Sequence, residues 1–475
     1  MEEMNQEERP VNPRRRRKSK MEIFKEAYLP LIIVALAAVL ILTFAIGAIV
    51  KAVNNHKADK DAQIAASEQQ AAEESRLRKQ ADELMAQAEL LVAGYDYDGA
   101  VALLETFEGN MSDYPELMTR RDQYSLAKTR LVAWNDPDLV LNLTLQMLIA
   151  DPQRAFKDEK FSYSFTRNFL TTEEFSAILT KLYESGYVLV NAEDIFTLEQ
   201  VDGASIYKAN TIYLPTGKRP LILTQTNVNY HTYLTDSDGD KLPDGGGRGF
   251  ASKLVFDVNG ELTCEYVDSA GQTHTGNYDM IPILNQFIKE HPDFSYQGAK
   301  AIIALTGYDG LFGYRTNSEA ERHFGTADYE SQIEAARAVG EKLVADGYEL
   351  ACYTYENVAY GSFNKKELEA DLSGWTSEVI RILPNVKIFA FAQNSDIAGE
   401  DSFYNDQRFT VLSNAGFSIF LGFSNNGKSW SVITDTYVRQ GRITLSPSAI
   451  YHHADWFGGV LDSSLLDSGR GNIPK

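Results

Sequence analysis

YELACYTYENVAYGSFNKKELEADLSGW, residues 348–375, holds a complete strand-to-helix unit. Leu350, Ala351, Cys352 and Tyr353 form a short apolar run that suits a strand buried on both faces. The chain then turns through Asn357 and Gly361. Asn364 and Glu367 stand three residues apart, as the two partners of a capping box do. Leu368, Leu372, Trp375 and Val379 follow at spacings of four, three and four, one face of a helix. Comparable strand runs occur at 187–190, 221–224, 301–306, 386–391 and 417–423, with helical patterns between them. Strands alternating with helices predict an α/β fold around a parallel sheet, closed or open. One segment departs from this pattern. In KLVFDVNGELTCEYV, 253–267, two strand-like runs flank Asn259-Gly260, a hairpin signature.

Charge and hydropathy divide the rest of the 475-residue chain. A formal charge of −21 argues against nucleic acid as a partner. Residues 1–50 hold eight Lys/Arg and six Asp/Glu, net +2, and the remainder is net −23. Residues 28–50 contain no charge, and 23 residues at ~1.5 Å each rise about 35 Å, enough to cross a bilayer. A secretory signal peptide has a shorter apolar core. Arg14, Arg15, Arg16, Arg17, Lys18, Lys20 and Lys25 precede this span, whereas Lys51, Lys57 and Lys60 after it are offset by Asp59 and Asp61. The charge asymmetry predicts a single-pass protein of the cell membrane, with a cytoplasmic tail at 1–27 and everything beyond 50 extracytoplasmic. Leu77, Ala81, Leu84, Ala88 and Leu91 draw a helical seam that Gly94 stops. Asp98 as N-cap and Gly109 as stop frame a second helix. Residues 51–135 therefore read as a helical stalk and hairpin resembling a lone tetratricopeptide-type unit, completed by a helix around 115–134. Cys264 and Cys352 are too few for a disulfide framework, and Cys352, inside a strand run, reads as a buried thiol.

Residues 136–475 form the main domain, and several stretches in it carry a resemblance. They are DPQRAF (151–156), TTEEFSAILTKLYESGYVLVNAEDIF (171–196), LILTQTNVNY (221–230), GFASKLVFDVNGEL (249–262), HPDFSYQGAKAIIALTGYDGLFGYRT (291–316) and ACYTYENVAYGSFNKKELEADLSGW (351–375). Their order and spacing resemble the polysaccharide deacetylases of the NodB-homology type, in particular a membrane-anchored group from Firmicutes. The resemblance implies a distorted (β/α) barrel, commonly of seven strands. It also implies hydrolysis of N-acetyl groups on cell-envelope glycans by a divalent metal, usually zinc, held by one Asp and two His. The motifs that carry this chemistry are altered here. Thr226 stands at the base position and Asn227 at the first ligand position. Tyr353 and Asn357 stand where two His ligands are expected, four residues apart. A third motif aligns with FAFAQNSD, keeping Phe389 and Phe391 but placing Ala390 and Ala392 at its Pro and Gly positions.

An amide is a poor zinc ligand, a phenol ionises near pH 10, and a threonine cannot act as a base. The expectation is an inactive homologue, with zinc bound only if other residues rebuild the site. His231, His452, His453, Glu356, Asp396 and Asp455 are the residues available for that. What remains at the strand ends is Asn229, Tyr230, Tyr355, Gln393 and Asn394, amides and aromatics that suit a neutral sugar. Cell-wall glycan or an envelope protein is the expected partner. A metal-dependent N-deacetylase with a rebuilt site and a structural scaffold are the alternatives. Separately, Asp236, Asp238, Asp240 and Asp244 alternate like the ligands of a calcium loop, with Lys241 where such loops favour Gly. Arg315 reads as half of a structural ion pair.

Overall fold

The computed structural model describes residues 19–383 and 385–474. The basic run from Arg14 to Lys18 lies outside the described residues. The chain divides into two compact units, Met1–Asp82 and Glu83–Lys475.

In the first unit, Ser19 and Glu22 form a capping box that opens a short helical turn, Lys20–Ile23. A π-helical turn, Phe24–Tyr28, leads into helix α1, Leu29–Ala93. Pro30 has no N–H to donate, which suits it to the opening of a helix and disturbs the ladder just before it. Residues 29–50 are exposed along their whole length, and among the described residues this is the one helix long and apolar enough to cross a membrane.

The second unit opens on the end of α1, where Leu84 and Ala88 are buried as the seam predicts. Helices α2 (Tyr97–Leu104) and α3 (Pro115–Lys128) pack through Ala100, Leu104, Leu117 and Tyr124. The N-cap of α2 is Asp96, whose side chain accepts from Gly99 N, and not Asp98. Asp98 sits in the first turn and pairs with Lys128 at 2.6 Å. The helix also ends at Leu104, well before Gly109. The Gly94 carbonyl accepts from Gln297 N at 2.8 Å, which ties this helical hairpin to the main domain.

Seven parallel strands close into a barrel: β1 (Leu141–Leu145), β2 (Arg219–Thr226), β3 (Ile302–Leu305), β4 (Glu349–Cys352), β5 (Ile388–Ala390), β6 (Ile419–Phe423) and β7 (Val438–Thr444). Around the ring the order is the chain order, and β7 pairs with β1 to complete it. β2 is forked. Arg219 to Leu221 pair with an eighth short strand, Tyr187–Leu189, while Thr224 to Thr226 pair with β3. The expected (β/α) barrel is thus present, but two of its strands were not legible. β1 alternates apolar residues with the buried Asn142 and Thr144, and β7 reads VRQGRIT with two arginines.

Outside the barrel, α4 (Thr172–Glu184), α5 (Met280–Glu290), α6 (Thr326–Ala345) and α7 (Lys365–Gly374) lay apolar faces on the strands. The capping box of Asn364 and Glu367 opens α7 as the sequence predicts. Inside, a separate cluster that includes Ile222, Ile302, Ala304, Ala351, Ile388, Ile419 and Val438 fills the lumen, with Phe196, Tyr207, Ile212 and Leu214 packed against it. The hairpin at Asn259-Gly260 pairs Lys253–Phe256 with Leu262–Val267, and Thr273–Gly276 adds a third strand. Both cysteines are buried and free.

Gly441 on β7 lies under Trp430, whose indole N–H donates to Phe423 O at 3.1 Å. A Cβ at Gly441 would fall 2.2 Å from the Trp430 Nε1. Gly441→Ala is expected to destabilise the barrel by about 1–3 kcal/mol, the cost of forcing extra volume into a packed site. Urea unfolding followed by tryptophan fluorescence measures it.

Candidate functional site at the barrel mouth

Parallel strands bring their carboxyl ends to one mouth, where loop residues can converge. On β2 the side chains alternate. Gln225 turns outward and Thr226 inward, its hydroxyl donating to Leu145 O at 3.2 Å. Asn227 leaves the strand in the left-handed region, φ 62°. Its N–H continues the ladder to Ala304 O at 3.0 Å, and its side chain donates to Gln146 Oε1 at 2.9 Å. Tyr353 extends β4 into the same space and is 5% exposed. Burial pushes its phenol up from the ordinary value, against the nearby Arg442 guanidinium and the polar side chains of Thr226 and Gln146. The mouth therefore unites Thr226, Asn227 and Tyr353 as the sequence reading expects, and adds Gln146 and Arg442.

The backbone around this mouth is strained. Thr354, Asn357, Gln393 and Asn394 share with Asn227 a positive φ, between 49° and 62°. For a β-branched residue such as Thr354 that conformation is a genuine outlier, and such strain gathers at binding and catalytic sites. Asn357 and Gln393 meet on the rim, where the Gln393 amide donates to Asn357 O at 3.2 Å. Asn394 is exposed beside them.

Three expected pocket residues lie elsewhere. Asn229 is fully buried and spent on the loops: it donates to Thr306 O at 2.8 Å and Gly310 O at 2.5 Å, and accepts from Thr306 N at 3.0 Å. Tyr230 is fully buried on the outer side of the wall, its hydroxyl donating to Asp279 Oδ2 at 2.8 Å. The ring of Tyr355 is wedged between Gly307 and Gly374, with its hydroxyl on Glu378 at 2.6 Å. Two-residue periodicity fails to foresee this, because the chain leaves the strands at Asn227 and Thr354 and the alternation ends there.

Asp279 is a buried residue that no motif flagged. It accepts from Leu148 N at 3.0 Å, Gln225 Nε2 at 2.6 Å and Tyr230 OH at 2.8 Å, and burial raises its carboxyl from the ordinary value. Arg315 donates to Asp309 O and Tyr230 O and lies 3.6 Å from the Asp309 carboxylate, the structural pair expected of it.

The residues at the mouth do not fit a zinc ion. A hydroxyl, an amide and a phenol held protonated by burial supply no charge to offset a dication, and the buried Arg442 opposes one. The residues available to rebuild a site are scattered. His231 is stacked between the rings of Tyr308 and Tyr233, His452 contacts Ile473 O at 3.1 Å, and His453 stacks on Trp456 at 4.3 Å. Asp396 pairs with Arg439 at 2.9 Å, and Glu356 and Asp455 are exposed. Among the described residues, the one group of three whose ligand atoms lie within 4.8 Å of each other is Asp236, Asp238 and Asp244. Asp240 does not join them; its carboxylate accepts from Leu242 N at 2.8 Å.

No family model matches the sequence, and no curated protein matches it. A search of solved structures returns a chain described as the Streptococcus pyogenes deacetylase PplD in complex with acetate. It is 9% identical, the match covers 68% of this chain and 97% of that one, and the TM-score is 0.31. At that identity and score no residue role is carried across.

The geometry does make one group a pH reporter. Burial lowers the His231 imidazole from its ordinary value of 6.5, against the opposing pull of Asp309 at 3.5 Å. A depressed folded value means that its contribution is complete above 6.5 and is lost as pH falls through the folded value. The melting temperature is expected to drop on acidification below 6.5, and His231→Phe, which keeps a ring between the two tyrosines, is expected to flatten that drop. Thermal melts across a pH series decide it.

Proposed function

We propose that this chain is a single-pass protein of a bacterial envelope whose extracytoplasmic barrel has the polysaccharide-deacetylase architecture without the deacetylase chemistry. In this reading the barrel mouth holds a neutral sugar of the cell-wall glycan, or an envelope partner protein. The observation that supports it is the composition of the mouth: Gln146, Thr226, Asn227, Tyr353, Asn357 and Gln393, beside the buried Arg442, offer amides, hydroxyls and a ring, with no carboxylate or imidazole among them. Such groups donate and accept without charge, which is the requirement for orienting a sugar hydroxyl or acetamido group. The strained left-handed residues that frame the mouth favour a binding role over a scaffold.

The test is metal content. The full-length protein, purified in detergent, loaded with zinc and desalted, is expected to retain no stoichiometric zinc and to release no acetate from N-acetylated glycan. A glycan array on the same sample is expected to show binding that Asn227→Ala weakens by about tenfold, the cost of one lost hydrogen bond to a buried polar group. One tight zinc per chain would overturn the reading and restore the deacetylase alternative.

The acidic loop supports a smaller proposal, calcium at Asp236, Asp238 and Asp244. Their converging carboxylates suit a hard cation with oxygen ligands. Calorimetric titration with calcium should show one site, and Asp236→Asn should abolish it.

A further inference from the structure

The inward side of β7 carries Val438, Gln440 and Arg442 at intervals of two. Gln440 fixes the position of this series against β1, because Asn142 donates to its Oε1 at 2.9 Å. The next inward residue of β7 toward the mouth is Arg442, and just beyond it β7 pairs with β1, Ile443 with Leu143 and Thr444 with Thr144. Thr144 is in register with Thr224 on β2.

Arg442 is fully buried, and its guanidinium is only partly used. Nε donates to Gly422 O at 3.2 Å and Nη2 to Phe391 O at 2.7 Å. Nη1 has no hydrogen-bond partner, and among the described residues no carboxylate lies within 4.0 Å of the group. The carboxylate whose charge acts on it is Asp396, and that is already occupied by Arg439 at 2.9 Å and by the Tyr404 hydroxyl at 3.0 Å. The rings of Phe423 and Tyr353, 4.5 and 6.0 Å away, face the cation but accept no hydrogen bond in the plane of Nη1. Burial lowers the guanidinium only to about 10, so it is charged at neutral pH. The Thr144 and Thr224 hydroxyls, also buried, have no partner either. A buried charge without a counter-charge is among the costliest arrangements in a protein interior.

We propose that the mouth end of the barrel lumen binds a carboxylate, with the Arg442 guanidinium as its charge partner. A single monovalent oxyanion matches the single fixed charge. The carboxylate belongs either to a free small acid or to an acidic sugar entering past Tyr353, and the two sources are separable. This proposal does not rest on the neutral-sugar reading, which the zinc and array measurements judge independently.

The test uses the full-length protein in detergent. Its four tryptophans, Trp134, Trp375, Trp430 and Trp456, all lie in the barrel-bearing unit, so their fluorescence reports on that unit. Melting temperature is followed against formate, with chloride at equal ionic strength, and against glucuronate, with glucose as the neutral counterpart. A saturable rise on the order of 2 °C is expected. A rise with formate alone assigns a free small acid. A rise with glucuronate and not with glucose assigns an acidic sugar. Arg442→Lys keeps the charge but loses the fork, and is expected to lose the response. If that variant does not fold, the wild-type titration still decides: no rise with formate or glucuronate beyond the chloride and glucose controls overturns the proposal.

Discussion

The mouth of this barrel is held by one buried carboxylate on the wrong side of the wall. Asp279 sits outside the strands, in the layer between sheet and helices, and gathers donors from three different segments: Leu148 after β1, Gln225 at the end of β2, and Tyr230 in the loop that follows. The same residue is the N-cap of α5. A group that only accepts fixes the direction of every donor around it. Gln225 faces out because Asp279 is there, and by alternation Thr226 faces in. Asn227 then leaves the strand in the left-handed region, and its side chain reaches Gln146. The polar rim is thus set from behind, by a contact no ligand can reach.

The legible part of the molecule was the part whose inward and outward faces are both apolar. Leu221 to Leu223, the Ile302 strand and the strand before α7 announce themselves as buried runs, and capping pairs such as Asn364 with Glu367 locate the helices between them. β1 and β7 escape notice for a physical reason. Their inward positions are Asn142, Thr144, Gln440 and Arg442, polar groups that are satisfied by each other, by carbonyls, or not at all. Hydropathy cannot tell such a strand from a loop. The site followed the same division. Thr226, Asn227 and Tyr353 were placed by motif, and Gln146 brings them together. Asn229, Tyr230 and Tyr355 were assigned by proximity in sequence and point elsewhere, because left-handed residues at Asn227 and Thr354 redirect the chain.

Those two invisible strands also carry the electrostatic character of the lumen. A barrel built to hold a dication lines its mouth with negative or neutral ligands and keeps fixed positive charge away. Here the order is reversed: Thr226, Asn227 and Tyr353 are neutral, and the fixed charge is a guanidinium on β7, two strands from β2. Charge of this sign selects against cations and basic groups whatever occupies the rim, since desolvated like charges repel strongly at such range.

The fork in β2 has a mechanical consequence. Its lower half is committed to the strand at Tyr187–Leu189, so only Thr224, Gln225 and Thr226 remain to join β3. The ring closes there through a three-residue ladder next to the mouth, prolonged by the Asn227 amide on Ala304, and through two-residue ladders between β4 and β5 and between β7 and β1. A short ladder frays before a long one. Breathing of the wall should therefore begin at these three short ladders, letting the lumen exchange its contents without unfolding the helices that surround it.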